Sequence, residues 1–206
     1  MNASIAWTPP SELVGLHGLA ECGDALYYPG FIDDAADVEH DLAAAIEWRE
    51  ESLLIFGRRV KVPRLCAWYG DVGVAYQYSH TVHRAEPWPR IVGSLRDALH
   101  ERLAIRFNFV LANLYRDGND ALGWHADNER DLGPFPCIAS LSFGASRRFC
   151  MRQRTEDRRA SIMLESGSLL LMWGTSQRDW QHSVPRSRGV VEPRINLTFR
   201  SVETAP

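Results

Sequence analysis

Apolar residues recur every four positions in two stretches of the chain and every two positions across most of the remainder. Val38, Leu42 and Ile46 stand four apart behind Asp33 and Asp34. Carboxylates there suit the exposed amides of a helix start, so the spacing predicts a helix from Ala35 to Glu51. Ile91, Leu95, Leu99 and Leu103 repeat in the same way after Pro89 and predict a second helix from Pro89 to Arg102, with the proline where no amide hydrogen is needed. Beyond residue 105 the pattern becomes that of strands. FNFVLANLY (107–115), CIASLSF (137–143), RRFCMRQ (147–153), SIMLE (161–165), SLLLMW (168–173), WQHSV (180–184) and INLTFRSV (195–202) are set off by Gly, Asp, Asn and Pro. Residues 1–34 read as irregular, with a short strand around Leu26–Tyr28.

Many short strands after a helical part predict an α+β, mainly β fold, a sandwich or jelly roll with the N-terminal helices packed on one face. There is no internal repeat and no linker long enough to divide the chain, so 1–206 reads as one domain. It comprises an acidic segment (1–52), a part carrying the second helix (53–104) and a strand-rich core (105–202).

Composition narrows the class only a little. At 45% apolar and 24% charged residues the chain is ordinary for a globular protein. No apolar run is long enough to span a bilayer, and the start lacks the basic-then-apolar pattern of a secretory leader, so no membrane partner is expected. Four scattered cysteines without a C-x-x-C pair read as reduced thiols of a cytoplasmic protein, and nothing demands more than a monomer. Charge is more informative. The net −3 conceals −10 over residues 1–52 and +7 over the rest, nearly all of it arginine because Lys61 is the sole lysine. Arginine forks pair with phosphate, which fits nucleic-acid binding; ordinary surface arginines fit the same count.

The stretch LGWHADNERD (122–131) carries the first sign of chemistry. In extended backbone His125 and Asp127 point to the same face, so an imidazole and a carboxylate can share one metal ion. H-x-D alone is a common tripeptide, and a third ligand has to come from another strand. His182 in WQHSV, between Trp180 and Val184, is the best placed; a buried core histidine is the other reading. Two histidines and one carboxylate on one side of an octahedral ion leave three positions open, the pattern of non-haem Fe(II) oxygenases. In PRINLTFR, alternation sends Arg194, Asn196, Thr198 and Arg200 to one face and Ile195, Leu197 and Phe199 to the other. Arginines beside such an ion call for an anion, and a dicarboxylate fits: one end chelates the metal, the other takes a bidentate fork. An edge strand with solvated arginines is the alternative reading, and it leaves Asn196 without a purpose.

HADNE, WQHSVP and PRINLTFR closely resemble the AlkB family of Fe(II)/2-oxoglutarate dioxygenases. The likeness continues through FNFVLANLYRDGND, IASLSFG, ESGSLLLMW and VPRLCAWYGD, over roughly residues 53–202. It implies a double-stranded β-helix with Fe(II) held by His125, Asp127 and His182. It also implies Arg194 on the distal carboxylate of 2-oxoglutarate with help from Tyr115, and Asn113, Asn196 and Arg200 completing that pocket. O2 is the remaining co-substrate. The family removes alkyl groups oxidatively from ring nitrogens of nucleobases such as 1-methyladenine and 3-methylcytosine.

By the same resemblance WYGDVGVAYQYS is a substrate lid. Tyr76 and Tyr78 share a face if it is extended, either as an aromatic platform for a cationic base or as a strand's buried face. Glu129 is placed to accept from the exocyclic amine. LLIFGRR (53–59) resembles the finger of the duplex-DNA-acting branch, with Phe56 entering the stack and Arg58, Arg59, Lys61 and Arg64 near phosphates; a core strand ending at a Gly turn is the alternative. The arginines of 147–159 either grip a second strand or solvate a hairpin. Nucleic acid, DNA before RNA, is the expected partner. A protein, lipid or small-molecule substrate, or a silent nucleic-acid-binding relative, are the competing readings.

Overall fold

The computed structural model describes residues 24–55, 58–78 and 81–203. Two antiparallel sheets face one another. The larger has seven strands in the order β1-β11-β8-β13-β6-β3-β2, and the smaller has four in the order β10-β9-β12-β7. In chain order the larger sheet is built from β1 (Ala25–Tyr28), β2 (Arg49–Ile55), β3 (Arg58–Gly70), β6 (Phe109–Tyr115), β8 (Ile138–Gly144), β11 (Ser168–Met172) and β13 (Arg194–Arg200). The smaller contains β7 (Leu122–His125), β9 (Arg147–Gln153), β10 (Arg159–Leu164) and β12 (Trp180–Val184). A separate hairpin pairs β4 (Ala75–Tyr78) with β5 (Thr81–Arg84). The expected mainly β jelly-roll architecture is present.

Strand alternation divides the interior into two cores. Ala139, Leu141, Phe143, Leu169, Leu171, Ile195, Leu197 and Phe199 leave the outer face of the large sheet. They pack there against Leu42 of the first helix, Ile46 just beyond its end, and Val92, Leu95, Leu99 and Leu103 of the second. Between the sheets, Phe109, Leu111, Tyr115, Ile138, Leu170 and Met172 meet Phe149, Met151, Leu164, Trp180 and Val184. The period of two thus assigns one half of each strand to the helices and the other half to the site. Truncating any fully buried leucine of the outer core, Leu42 or Leu99 for example, costs about 2–5 kcal/mol.

Helix α2 (Arg90–Leu103) matches its expected span and ends where Ala104 turns left-handed at φ 54°. Helix α1 (Ala35–Ala45) stops six residues before its expected end. Ile46 becomes extended (φ −93°, ψ 128°), and Arg49–Ile55 is drawn into pairing with β3. Ladder formation there outweighs the continuing four-residue pattern. The sequence pattern does not mark the long strand β3, because Pro63 lies inside it and proline argues against a central strand. The chain accommodates Pro63 at a register shift: Glu50 pairs with Leu65 and Ser52 with Lys61, while pairing to β6 begins only at Leu65.

Helix α1 lies behind the large sheet, against β8 and β13, so its acidic residues are on the side away from the facing sheets. No helix among the described residues is long and apolar enough to cross a membrane.

Candidate metal centre and co-substrate pocket

β7 and β12 pair antiparallel with His125 directly opposite His182. The register shifts between His182 and Val184, an irregularity of the kind that re-aims side chains beside functional sites. Asp127 follows β7 by two residues, and its backbone N–H donates to Gln177 Oε1 at 2.9 Å. Gln177 is buried on α3 (Ser176–Asp179), the single turn leading into β12. One loop therefore places the carboxylate while two neighbouring strands place the imidazoles. Their donor atoms all lie within 4.8 Å of one another.

Each donor is prepared for a cation. His125 Nδ1–H donates to Gly123 O at 2.9 Å, leaving Nε2 with its lone pair. His182 stacks on Phe149 with ring centroids 5.3 Å apart, and burial, reinforced by His125, presses its pKa down to about 3. Both rings are thus held neutral, the ligating form. Burial of Asp127 would raise its pKa, but the Arg200 guanidinium, joined by the imidazoles once acid protonates them, outweighs that and brings it to about 2. Arg200 Nη2 donates to Asp127 Oδ2 at 3.0 Å, while Oδ1 is buried without a hydrogen-bond partner. A buried carboxylate oxygen with no partner is costly, and a divalent cation beside two imidazoles would satisfy it. The donor set suits Fe(II).

The pocket continues between the sheets to Arg194. Its Nη2 donates to Ser142 Oγ at 2.9 Å, while Nε and Nη1 are buried with no partner. Burial lowers its pKa, Tyr115 opposing and Arg147 adding to the fall. Two orphaned donors on a planar fork, inside a closed pocket, fit a carboxylate. The guanidinium lies 5.1 Å from the Tyr115 ring, and that of Arg147 lies 5.5 Å from the same ring. Arg147 is held by the carbonyls of Asp117, Asp120 and Pro185.

The other expected site residues divide. Asn113, Asn196 and Arg200 line the pocket with the three metal-ligand candidates. The Asn196 amide, however, is spent on Ser140 Oγ (2.8 Å) and Leu141 O (2.9 Å), and its oxygen accepts from Thr198, so it fixes a wall. Arg200 serves Asp127 and the Thr198 carbonyl. Arg64 departs from expectation: instead of joining Arg59 and Lys61 at a phosphate surface it is 2% exposed, and its Nε donates to Asn113 Oδ1 at 2.6 Å. It lies on the inner face of β3 once the strand passes Pro63.

Tyr76 is also more enclosed than an open platform would be. Its ring packs against Phe109 at 5.1 Å and beneath the Arg200 guanidinium at 5.5 Å. Its phenol, held protonated chiefly by burial, sits beside Glu129, whose own carboxyl is raised by burial and by Asp127. Tyr78 is in β4, though its side chain, like the whole of Phe56, lies outside the described residues.

Sequence reasoning missed Gln177, Ser142 and Arg147. The two serines of IASLSFG carried a signal, since Ser140 and Ser142 alternate with apolar residues and mark a polar inner face. Gln177 carried none, because a single polar residue in a turn has no period.

The chain matches the 2OG-Fe(II) oxygenase superfamily over residues 24–200. Alpha-ketoglutarate-dependent dioxygenase alkB homolog 3 of Homo sapiens is 39% identical over 191 residues, 87% of this chain and 66% of the relative. DNA oxidative demethylase ALKBH2 of Homo sapiens is 37% identical over 180 residues, 82% of this chain and 69% of the relative. The Mus musculus ALKBH2 is 41% identical over 156 residues, covering 72% and 65%. The chain thus spans about two thirds of the length of these curated relatives, 66% of the first. The solved structure of OsALKBH1 superposes with a TM-score of 0.60 at 19% identity, covering 86% of this chain and 96% of that one, and speaks for the fold alone. A buried two-histidine, one-carboxylate centre facing an arginine with open donors agrees with those matches, and the chain belongs to the 2OG-Fe(II) oxygenase superfamily, in its AlkB family.

Proposed function

We propose that the protein is an Fe(II)- and 2-oxoglutarate-dependent dioxygenase that removes alkyl groups from ring nitrogens of nucleobases, 1-methyladenine and 3-methylcytosine in nucleic acid, DNA before RNA. The observation that carries the chemistry is the pairing of two unmet needs in one pocket: Asp127 Oδ1 without a partner, and Arg194 Nε and Nη1 without one. A metal ion meets the first and a dicarboxylate the second. The relatives named as DNA oxidative demethylases support the substrate class.

When bound, Fe(II) with 2-oxoglutarate and O2 supplies the oxidant for the alkyl carbon. The chain's own residues bind, orient and exclude water. His125, Asp127 and His182 would hold the ion. Arg194, braced by Ser142 and the Tyr115 ring, would hold the far carboxylate of the co-substrate. Phe149, Leu111 and Met172 give that pocket apolar walls, which strengthens the ionic contacts inside it. Once its alkyl carbon carries a hydroxyl, the base loses formaldehyde without help from a side-chain nucleophile. Glu129, next to both Asp127 and Tyr76, is positioned to accept from an exocyclic amine, and an extruded base would enter beneath the β4–β5 hairpin.

The test is mass spectrometry of 3-methylcytosine oligonucleotides after incubation with protein, Fe(II), 2-oxoglutarate and air. Single-stranded DNA, duplex DNA and RNA run in parallel, with a control lacking 2-oxoglutarate. Demethylation that needs 2-oxoglutarate is the expected outcome. Consumption of 2-oxoglutarate with every oligonucleotide intact would move the substrate to a protein, lipid or small molecule.

A further inference from the structure

The β4–β5 hairpin belongs to neither large sheet. Four-residue strands paired only with each other are marginal in water, so the position of this hairpin depends on what anchors it. At its base Ala85 N–H donates to Val74 O, Glu86 N–H to Trp68 O and Gly70 N–H to Glu86 O. Further along, anchoring passes to side chains. Tyr76 and His83 are opposite one another in the register and therefore share a face. Tyr76 points to Arg200 and Glu129. His83 packs edge-on against Trp68, ring centroids 4.3 Å apart, and its Nε2 lies 3.2 Å from Glu51 Oε1.

Glu51 belongs to another hairpin. It lies in β2 at the register shift, where Val62–Arg64 of β3 stand against it alone. The irregularity turns its carboxylate inward, to 10% side-chain exposure against 8% for His83. There it also faces the Cys66 thiol, which burial pushes up to about 12, with Arg64 opposing and Glu51 adding. Cys66 Sγ lies 3.6 Å from Asn113 Oδ1, so the polar chain reaches the co-substrate pocket. Neither the proposed metal centre nor the Arg194 fork uses Glu51 or His83. Burying a carboxylate and an imidazole is unfavourable, and packed apolar residues would hold two hairpins at least as firmly. A polar pair differs in fixing one relative placement.

We propose that Glu51 and His83 are positioning residues that lock the β4–β5 hairpin to the β2–β3 hairpin, so that the surface meeting the nucleic-acid strand and the aromatic strand over the base move as one body. This rests on the nucleic-acid reading above. β2 and β3 lead to and from Phe56, whose sequence surroundings resemble the finger of the duplex-acting branch. The inner face of β4–β5 carries Tyr76 directly across from the lock. Loosening the lock leaves the metal ligands and Arg194 in place and lets the base-facing strand drift.

The experiment compares the full chain with Glu51→Gln, His83→Leu and the exchange Glu51→His with His83→Glu. Initial rates on a 3-methylcytosine duplex give KM for the oligonucleotide and, separately, for 2-oxoglutarate, and thermal melting checks folding. Each single variant is expected to raise KM for the duplex about tenfold, which is about 1.4 kcal/mol, with kcat and the 2-oxoglutarate KM held within about twofold. The exchange is expected to restore most of the loss. Unchanged oligonucleotide KM in folded single variants, or an equal rise in both KM values, overturns the lock. A wild-type protein that leaves every methylated oligonucleotide intact overturns the nucleic-acid reading itself, a different result from an active wild type with indifferent variants.

Discussion

Arg200 Nη2 lies 3.0 Å from Asp127 Oδ2, and both side chains are 3% exposed. The arginine occupies one oxygen of the carboxylate and so leaves the other to face His125 and His182. It also supplies the positive charge that keeps Asp127 ionised in a buried place. The metal centre and the strand carrying Arg194 are therefore joined by a charge pair, since Arg194 and Arg200 sit on the same face of β13.

That pair decides what a ligand substitution does. Asp127→Ala should abolish 2-oxoglutarate turnover, as any loss of the carboxylate ligand would. The substitution also strands the Arg200 guanidinium in the interior, with the Thr198 carbonyl as its remaining hydrogen-bond partner. Breaking a buried pair from one side costs about 3–5 kcal/mol, so Asp127→Ala should melt well below wild type. Asp127→Asn should lose turnover with a smaller drop, since its amide oxygen still accepts from Arg200. Calorimetry with a turnover assay on both variants checks the claim; equal melting temperatures for wild type and Asp127→Ala would refute it.

Gln177 never touches the metal position, yet it holds the Asp127 backbone. Residues that orient ligands from behind typically account for 10–100-fold in metal affinity. Gln177→Ala should therefore weaken Mn(II) or Fe(II) binding by about tenfold or more. The Arg194 end of the pocket should be unaffected. Titration calorimetry reads this directly, and unchanged metal affinity would remove Gln177 from the site.

Arg194→Lys keeps a charge but replaces a planar fork with a single ammonium. Hydrogen bonds to charged groups are worth about 1.5–3 kcal/mol each, so KM for 2-oxoglutarate should rise by about tenfold to a hundredfold. Metal affinity should stay put. A loss of metal binding equal to the loss of co-substrate binding would mean that Arg194 supports the fold rather than the ligand.

Much of this was legible where the chain is periodic. In β13 the alternation of Arg194, Asn196, Thr198 and Arg200 with Ile195, Leu197 and Phe199 foretold both faces, because a strand buried on two sides has no freedom to rotate. His125 and Asp127 were legible for the same reason. The errors arose where distant segments decide. The four-residue pattern overstates helix α1 because β2 takes its tail, and pairing with β3 leaves no trace in residues 46–51. Arg64 has the sequence surroundings of a surface cation because the register shift at Pro63 changes which face it occupies. Arg147, packed on Tyr115 and capped by three carbonyls, looked like its neighbours in an arginine-rich run; only the sheet's two faces separate it from Arg148.

The outward face of β9 and the tip of its hairpin with β10 carry the arginines on which nucleic-acid binding can be tested. Arg148 and Arg154 are exposed there, whereas Arg158 and Arg159 stand beside Glu156 and Asp157 and Arg152 is stacked on Trp124 and bonded to Gln181. Local carboxylates thus partly neutralise two of these cations, and Arg148 and Arg154 are the better probes. Each phosphate neutralised contributes about 0.9 to the slope of log affinity against log salt on duplex DNA. Replacing both with glutamine should lower that slope by up to about 1.8, with turnover of a single 3-methylcytosine nucleotide unchanged because the pocket lies behind the sheet. Fluorescence anisotropy with a labelled duplex across a salt series measures it. An unchanged slope would return these arginines to the role of a solvated hairpin and would leave the second strand to be held elsewhere.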